Sequence, residues 1–220
     1  MARPSAPPRG ILFDLDGTLL DTAPDMGAAL TSLRAEHGLP PLAHADMRPH
    51  VSRGANALVR LGLGESAASE HAARRERFLS IYQTRVAVDT RPFPEVDALL
   101  NELDQRRIPW AIVTNKPSHL TQLVLQSLNF GRNAKIVLCG DSLSQRKPSP
   151  MPLLHAARVM EVAPAECLFL GDAECDMQAA HAAGMVALGA RYGYFSADDR
   201  PESWPADGWI DSPLGLLEWI

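Results

Sequence analysis

Five short, almost wholly apolar runs recur along the chain: Gly10-Ile11-Leu12-Phe13, Ile108-Pro109-Trp110-Ala111-Ile112-Val113, Lys135-Ile136-Val137-Leu138, Cys167-Leu168-Phe169-Leu170 and Met185-Val186-Ala187-Leu188. A strand with one wet face alternates apolar and polar side chains, whereas a strand buried on both faces does not. The runs therefore predict a parallel sheet covered on both sides, the doubly wound, Rossmann-like α/β class. The segments between the later runs have helical periodicity: Glu95 to Arg107 sets Val96, Leu99, Leu100 and Leu103 on one face, and Leu120 to Leu128 and Ala173 to Ala183 are further helices. Ser149 is expected to cap a helix with Pro150 at its first position. The tail from Ser196 reads as a surface wrap ending in a short helix, Leu214 to Trp219.

Between the first run and Phe93 the alternation stops. A helix is predicted from Ala23 to His37, a second around Ala55, Leu58, Val59 and Leu61, and a longer one from Glu65 to Val86 with Phe78, Ile81, Tyr82 and Val86 inward. The pattern divides the chain into an α/β core, residues 1–20 and 89–220, and an inserted helical domain, residues 21–88. A length of 220 residues suits a main domain with one insert. The formal net charge of −5 argues against charge-driven nucleic-acid binding. No apolar run has the length of a membrane span, and Met1 to Arg9 lacks the apolar core of a secretory signal. Cys139, Cys167 and Cys175 have neither disulfide-framework nor zinc-ligand spacing. These features together predict a cytoplasmic protein.

In a doubly wound sheet, ligands bind beyond the carboxyl ends of the strands. The first run delivers Asp14-Leu15-Asp16-Gly17-Thr18 to that edge. Asp is depleted in strands, and carboxylates this close repel unless a cation or shared proton relieves them. An Asp-Gly turn would explain Asp16 but not Asp14 in its apolar flank. The second run delivers Thr114-Asn115-Lys116, and the fourth delivers Gly171-Asp172-Ala173-Glu174-Cys175-Asp176. The loop before the Ser149 helix carries Arg146-Lys147-Pro148, where Pro148 favours an extended Lys147. Each motif alone has an ordinary explanation: loop chemistry, a solvated lysine, a helix cap. Together they bring carboxylates, a hydroxyl and an ammonium to one edge, which no single structural role unites.

In this order and on these elements, Asp14/Asp16, Thr114, Lys147 and Asp172/Asp176 resemble the four motifs of the haloacid dehalogenase superfamily of phosphotransferases, and the match spans nearly the whole chain. Asp21-Thr22-Ala23-Pro24-Asp25, Val113-Thr114-Asn115-Lys116-Pro117, Val51-Ser52-Arg53-Gly54-Ala55 and Arg191-Tyr192-Gly193-Tyr194 are similar to its phosphoglycolate phosphatase branch. They are closer still to bacterial relatives acting on N-acetylmuramic acid 6-phosphate. The resemblance implies that the insert is a cap, that Asp14 is a nucleophile forming an aspartyl-phosphate, and that Asp16 protonates the leaving group and then activates water. It implies that Thr114 holds phosphoryl oxygens, that Asn115 contacts substrate and that Lys147 offsets charge. Mg²⁺ is implied as cofactor, bound by the Asp14 carboxylate, the Asp16 backbone carbonyl and Asp172, with Asp176 orienting its shell. Arg53 is the candidate for reading a substrate carboxylate. Glu174 and Cys175 have no job in the family pattern, and Cys175 reads as an inert thiol.

The expected function is therefore Mg²⁺-dependent hydrolysis of a small, carboxylated phosphate monoester: 2-phosphoglycolate or N-acetylmuramic acid 6-phosphate. The partner is that metabolite, with neither nucleic acid nor membrane, and the protein acts as a monomer or homodimer. Asp16 argues against halide displacement, which needs no leaving-group proton. A sugar phosphomutase resembling β-phosphoglucomutase stays open, since it shares nucleophile, cap and metal. So does a phospho-accepting signalling module, although the insert and Asp16 have no use there.

Overall fold

The computed structural model describes residues 6–196 and 199–220; the first five residues of the expected lead-in, Met1 to Ser5, and residues 197 and 198 of the tail lie outside them. Strand β1 (Gly10–Phe13) is followed by β2 (Leu20–Asp21), which leads into helices α1 (Ala23–Glu36), α2 (His44–Met47), α3 (Gly54–Leu63) and α4 (Ala68–Gln83). A 3₁₀ helix, Arg48–Arg53, joins α2 to α3, and the chain returns through β3 (Arg91–Pro92). Then come α5 (Val96–Gln105), β4 (Trp110–Val113), α6 (Ser118–Leu128), β5 (Val137–Leu138), α7 (Met151–Val159), β6 (Cys167–Gly171), α8 (Glu174–Ala183), β7 (Val186–Ala190) and β8 (Gly208–Ile210).

Six strands form one parallel sheet in the order β5-β4-β1-β6-β7-β8. The chain builds outward from β1 on one flank and then on the other, so the carboxyl end of β1 opens on the topological switch point. The unbroken apolar runs are explained by their two covered faces. Ile11, Phe13, Ile112, Leu168 and Leu170 pack with α5, α6 and the insert, whereas Leu12, Ala111, Val113 and Phe169 pack with α7 and α8. The insert shares the first of these cores through Leu30, Leu33, Leu58, Phe78 and Tyr82, all fully buried.

Both ends of the insert meet the core at one place. Leu20 pairs with Pro92 and Asp21 with Arg91, antiparallel. Asp25, in the first turn of α1, is fully buried and fastens the returning chain. Its carboxylate accepts the Asp89 N–H (2.9 Å), the Thr90 N–H (2.9 Å) and the Thr90 hydroxyl (2.7 Å).

Several elements differ from expectation, among them β2, β3, α2 and the 3₁₀ helix Arg48–Arg53, none of which the pattern predicts. The tail adds an edge strand, β8, to the sheet; with three residues it is too short for its pattern to be read. Helix α7 begins at Met151, one residue late: Pro150 takes the cap position, while the Ser149 hydroxyl accepts the Met151 N–H (3.3 Å). The final segment, Pro213–Trp219, is a 3₁₀ helix.

Replacing Asp25 by Ala orphans the buried Thr90 N–H and removes two further hydrogen bonds, and should destabilise the fold by about 3 kcal/mol, as expected for lost hydrogen bonds to a charged acceptor. Thermal melts of D25A and D25N measure this, with D25N, which keeps an acceptor oxygen, losing less.

Candidate active site

The Asp14 N–H donates to Leu170 O (2.9 Å), so the ladder runs one residue past β1 and puts Asp14 at the switch point. The chain then folds into a tight turn in which the Leu19 and Leu20 N–H groups donate to Leu15 O (3.0 and 2.9 Å). Gly17 has φ +89, and a Cβ there would strike the Asp172 carboxylate. Gly193 abuts Asp172 as well, and a Cβ there would also meet it. Two glycines thus let backbone close around one acidic side chain.

Lys147 gathers the first group of charges. Its ammonium donates to Asp14 Oδ1 (2.7 Å), Asp176 Oδ1 (2.8 Å) and Val113 O (2.8 Å). Asp172 accepts the Ser52 hydroxyl (2.6 Å), the Tyr194 N–H (2.9 Å) and the Thr18 hydroxyl (3.3 Å). Asp176 also accepts the Ala173 N–H (3.1 Å), so Asp176, not Asp172, caps α8. Asp14, Asp172 and Asp176, all buried, each offer an oxygen within 4.8 Å of the others. Asp176 therefore lies inside the acidic cluster rather than behind it. The Asp16 carboxylate lies outside it, which leaves that residue's backbone carbonyl as the atom it could offer an ion.

A second charge system holds Asp16. Its carboxylate accepts the Thr22 hydroxyl (2.7 Å) and the Lys116 ammonium (3.1 and 3.2 Å). Lys116 also donates to the Tyr82 hydroxyl (3.0 Å). Thr114 Oγ accepts the Lys116 N–H (3.2 Å), and the Asn115 amide donates to Lys147 O (3.0 Å) while its buried Oδ1 has no hydrogen-bond partner among the described residues. Arg53 donates to Asp199 (2.7 Å) and to the Ser196 hydroxyl (2.8 Å), joining the insert to the tail. A cavity of about 290 Å³ connects these groups, with Asp14, Asp16, Thr114 and Lys147 on the core side and Val51, Arg53, Arg75, Leu79 and Tyr82 on the insert side.

Lys116, Tyr82 and Ser52 complete the site and were not singled out from the sequence. Only the position of Lys116, two residues after Thr114 at a strand end, carried a signal. Glu174 lies on the surface, accepting from Gln178 (3.0 Å). Burial and then Asp176 push the Cys175 thiol up, keeping it protonated and unreactive.

The charge balance tests whether a cation fits. Within the cluster, three buried carboxylates face one ammonium, because Lys116 belongs to Asp16. Burial above all pushes the Asp14 carboxyl up to about 7, with Asp176 and Asp16 adding to the rise while Lys147 opposes it. Burial and the charges of Asp14 and Asp176 hold Asp172 well above the carboxylate range. Lys147 is held above the usual lysine range, since Asp14 and Asp176 outweigh its burial. A set of hard oxygens short of positive charge suits a divalent cation of the Mg²⁺ kind.

A buried carboxylate at a switch point, a second and separately paired carboxylate beside it and a cavity reaching both make this the candidate active site. Residues 11–190 match the model of the haloacid dehalogenase-like hydrolases, and the chain belongs to that family. It is 42% identical over 211 residues to a phosphoglycolate phosphatase of Xanthomonas campestris, covering 96% of each chain. It is 38% identical over 211 residues to the N-acetylmuramic acid 6-phosphate phosphatase of Pseudomonas aeruginosa, covering 96% of this chain and 93% of the relative. The crystal structure of a predicted phosphoglycolate phosphatase from Haemophilus somnus superposes with a TM-score of 0.85 at 26% identity, covering 97% of this chain and 98% of that one. Among the described residues no helix is long and apolar enough to cross a membrane.

Asp14 takes up a proton at about 7 in the native state, against an ordinary value of 3.8. Between those values the native chain holds a proton that the unfolded chain has released, so stability falls as pH rises through that window. In chelator, wild type should lose Tm relative to D14N as pH is raised from about 4 to 7, and Mg²⁺ should restore it. A pH-independent difference would refute the raised proton affinity of buried Asp14.

Proposed function

We propose that this enzyme hydrolyses a small phosphate monoester through an aspartyl-phosphate on Asp14, with Mg²⁺ as cofactor and residues 21–88 as the cap over residues 1–20 and 89–220. The observation that carries this reading is the pairing of Lys147 with Asp14 inside a cation-deficient cluster, with Asp16 beside it in its own charge system. The Asp14 and Asp172 carboxylates and the Asp16 carbonyl would hold Mg²⁺, with the Asp176 carboxylate available beside them. When bound, the ion supplies positive charge against the phosphoryl oxygens.

The chain's own residues account for the rest. An Asp14 oxygen attacks phosphorus while the bond to the leaving oxygen breaks, and that oxygen takes a proton from Asp16. Water then attacks the aspartyl-phosphate, giving a proton to the Asp16 carboxylate and releasing phosphate and Asp14. Lys147 reduces repulsion between nucleophile and substrate, and Thr114 and Asn115 steady the phosphoryl oxygens. The cap's apolar wall keeps bulk water from the intermediate.

Arg53 and Arg75 line the cavity, which favours a leaving group carrying a carboxylate. A volume of about 290 Å³ is roughly ten times the share of one water molecule in the liquid. That is more than a glycolate group fills, so the cavity admits either 2-phosphoglycolate or an amino-sugar phosphate.

Steady-state phosphate release with Mg²⁺ should separate these substrates in a panel of phosphoglycolate, N-acetylmuramic acid 6-phosphate, hexose phosphates and pyrophosphate. D14N should abolish turnover, and D16A should lower kcat on alkyl esters by about 10²–10⁴-fold. Interconversion of hexose 1- and 6-phosphates would indicate a mutase instead, and a long-lived phosphoprotein without turnover a signalling module. R53A should raise KM for carboxylated substrates alone; an equal effect on neutral esters would reject its role as carboxylate reader.

A further inference from the structure

Lys116 has no part in the mechanism above, yet its ammonium is buried and held by several partners. It contacts both Asp16 oxygens (3.1 and 3.2 Å) and the Tyr82 hydroxyl (3.0 Å), and lies 4.6 Å from the centre of the Tyr82 ring. An ammonium kept this far from water persists only where its donors are matched. Asp16 and Tyr82 supply that match from two parts of the chain: Asp16 follows β1 in the core, while Tyr82 sits in the last turn of α4 in the insert. Thr22, at the entrance to the insert, holds Asp16 from another direction (2.7 Å). The Asp16 carboxylate therefore sits between a hydroxyl and an ammonium that is itself gripped by the lid.

We propose that Lys116 is a positioning residue for Asp16, and that Tyr82 makes this positioning depend on the seating of the insert. The proposal rests on Asp16 serving as proton carrier in phosphate-ester hydrolysis. A carboxylate on a tight turn can rotate about two side-chain bonds, and proton transfer demands hydrogen-bond reach of the leaving oxygen. The ammonium removes that freedom with a point charge on a long stem, and it reaches Asp16 fully only while α4 lies against the core. Proton transfer is thereby reserved for a covered substrate.

The test separates steps that need the Asp16 proton from those that do not. An aryl leaving group such as p-nitrophenolate departs without protonation, whereas an alkyl leaving group requires it. K116M should lower kcat on alkyl phosphate esters by roughly 10²-fold, with KM little changed, while single-turnover p-nitrophenol release stays within a few-fold of wild type. Y82F should give the same split at smaller size, and K116R should recover part of the loss.

Equal losses on the aryl and alkyl reactions would overturn the proposal, as would a loss confined to KM, which would mean that the ammonium touches substrate. Unchanged alkyl turnover in K116M would overturn it too. Should K116M fail to fold, Y82F carries the same test, because it keeps the charge pair and the ring contact and removes only the hydroxyl that accepts from the ammonium. A wild-type protein that released no phosphate from any ester would instead defeat the hydrolase reading, so the two failures are distinct.

Discussion

The site is organised by a shortage of positive charge. Asp14, Asp172 and Asp176 lie within 4.8 Å of one another, buried, with Lys147 as their one ammonium. Burying ionised carboxylates is expensive unless they are paired, and like charges at this distance raise one another's proton affinity. Much of the surrounding backbone serves to make the cluster tolerable. Gly17 and Gly193 allow main chain to approach Asp172, the Tyr194 N–H donates to it, and Asp176 caps α8. What remains unneutralised is the site's affinity for a cation.

Keeping Asp16 out of that cluster is the second organising choice. Two carboxylates two residues apart in sequence have been given different partners: Lys147 for Asp14, and Lys116 with Thr22 for Asp16. Separate partners suit the separate roles proposed for them, one as nucleophile and one as proton carrier, although both leave the same strand end.

Most of this was legible in the sequence for an identifiable reason. Strands buried on both faces leave unbroken apolar runs, and their carboxyl ends mark where polar residues must be functional. Asp14, Thr114, Lys147 and Asp172 could thus be placed at one edge before any coordinates. The strand β8 and the start of α7 were not legible, because three residues hold too little pattern and a Ser-Pro pair fits two cap registers. Nor were Ser52 and Tyr82: their meaning depends on how the insert docks, a long-range contact with no local signature. Arg53 was noticed as a cation facing the pocket, but its engagement with Asp199 joins residues far apart in sequence and could not be foreseen.

The two stems of the insert, Leu20–Asp21 and Arg91–Pro92, lie side by side. A lobe attached at adjacent points leaves and rejoins the core through one narrow junction. The buried Asp25 sits beside that junction and ties the returning chain to the outgoing one, so a carboxylate outside the cavity holds the two crossings together.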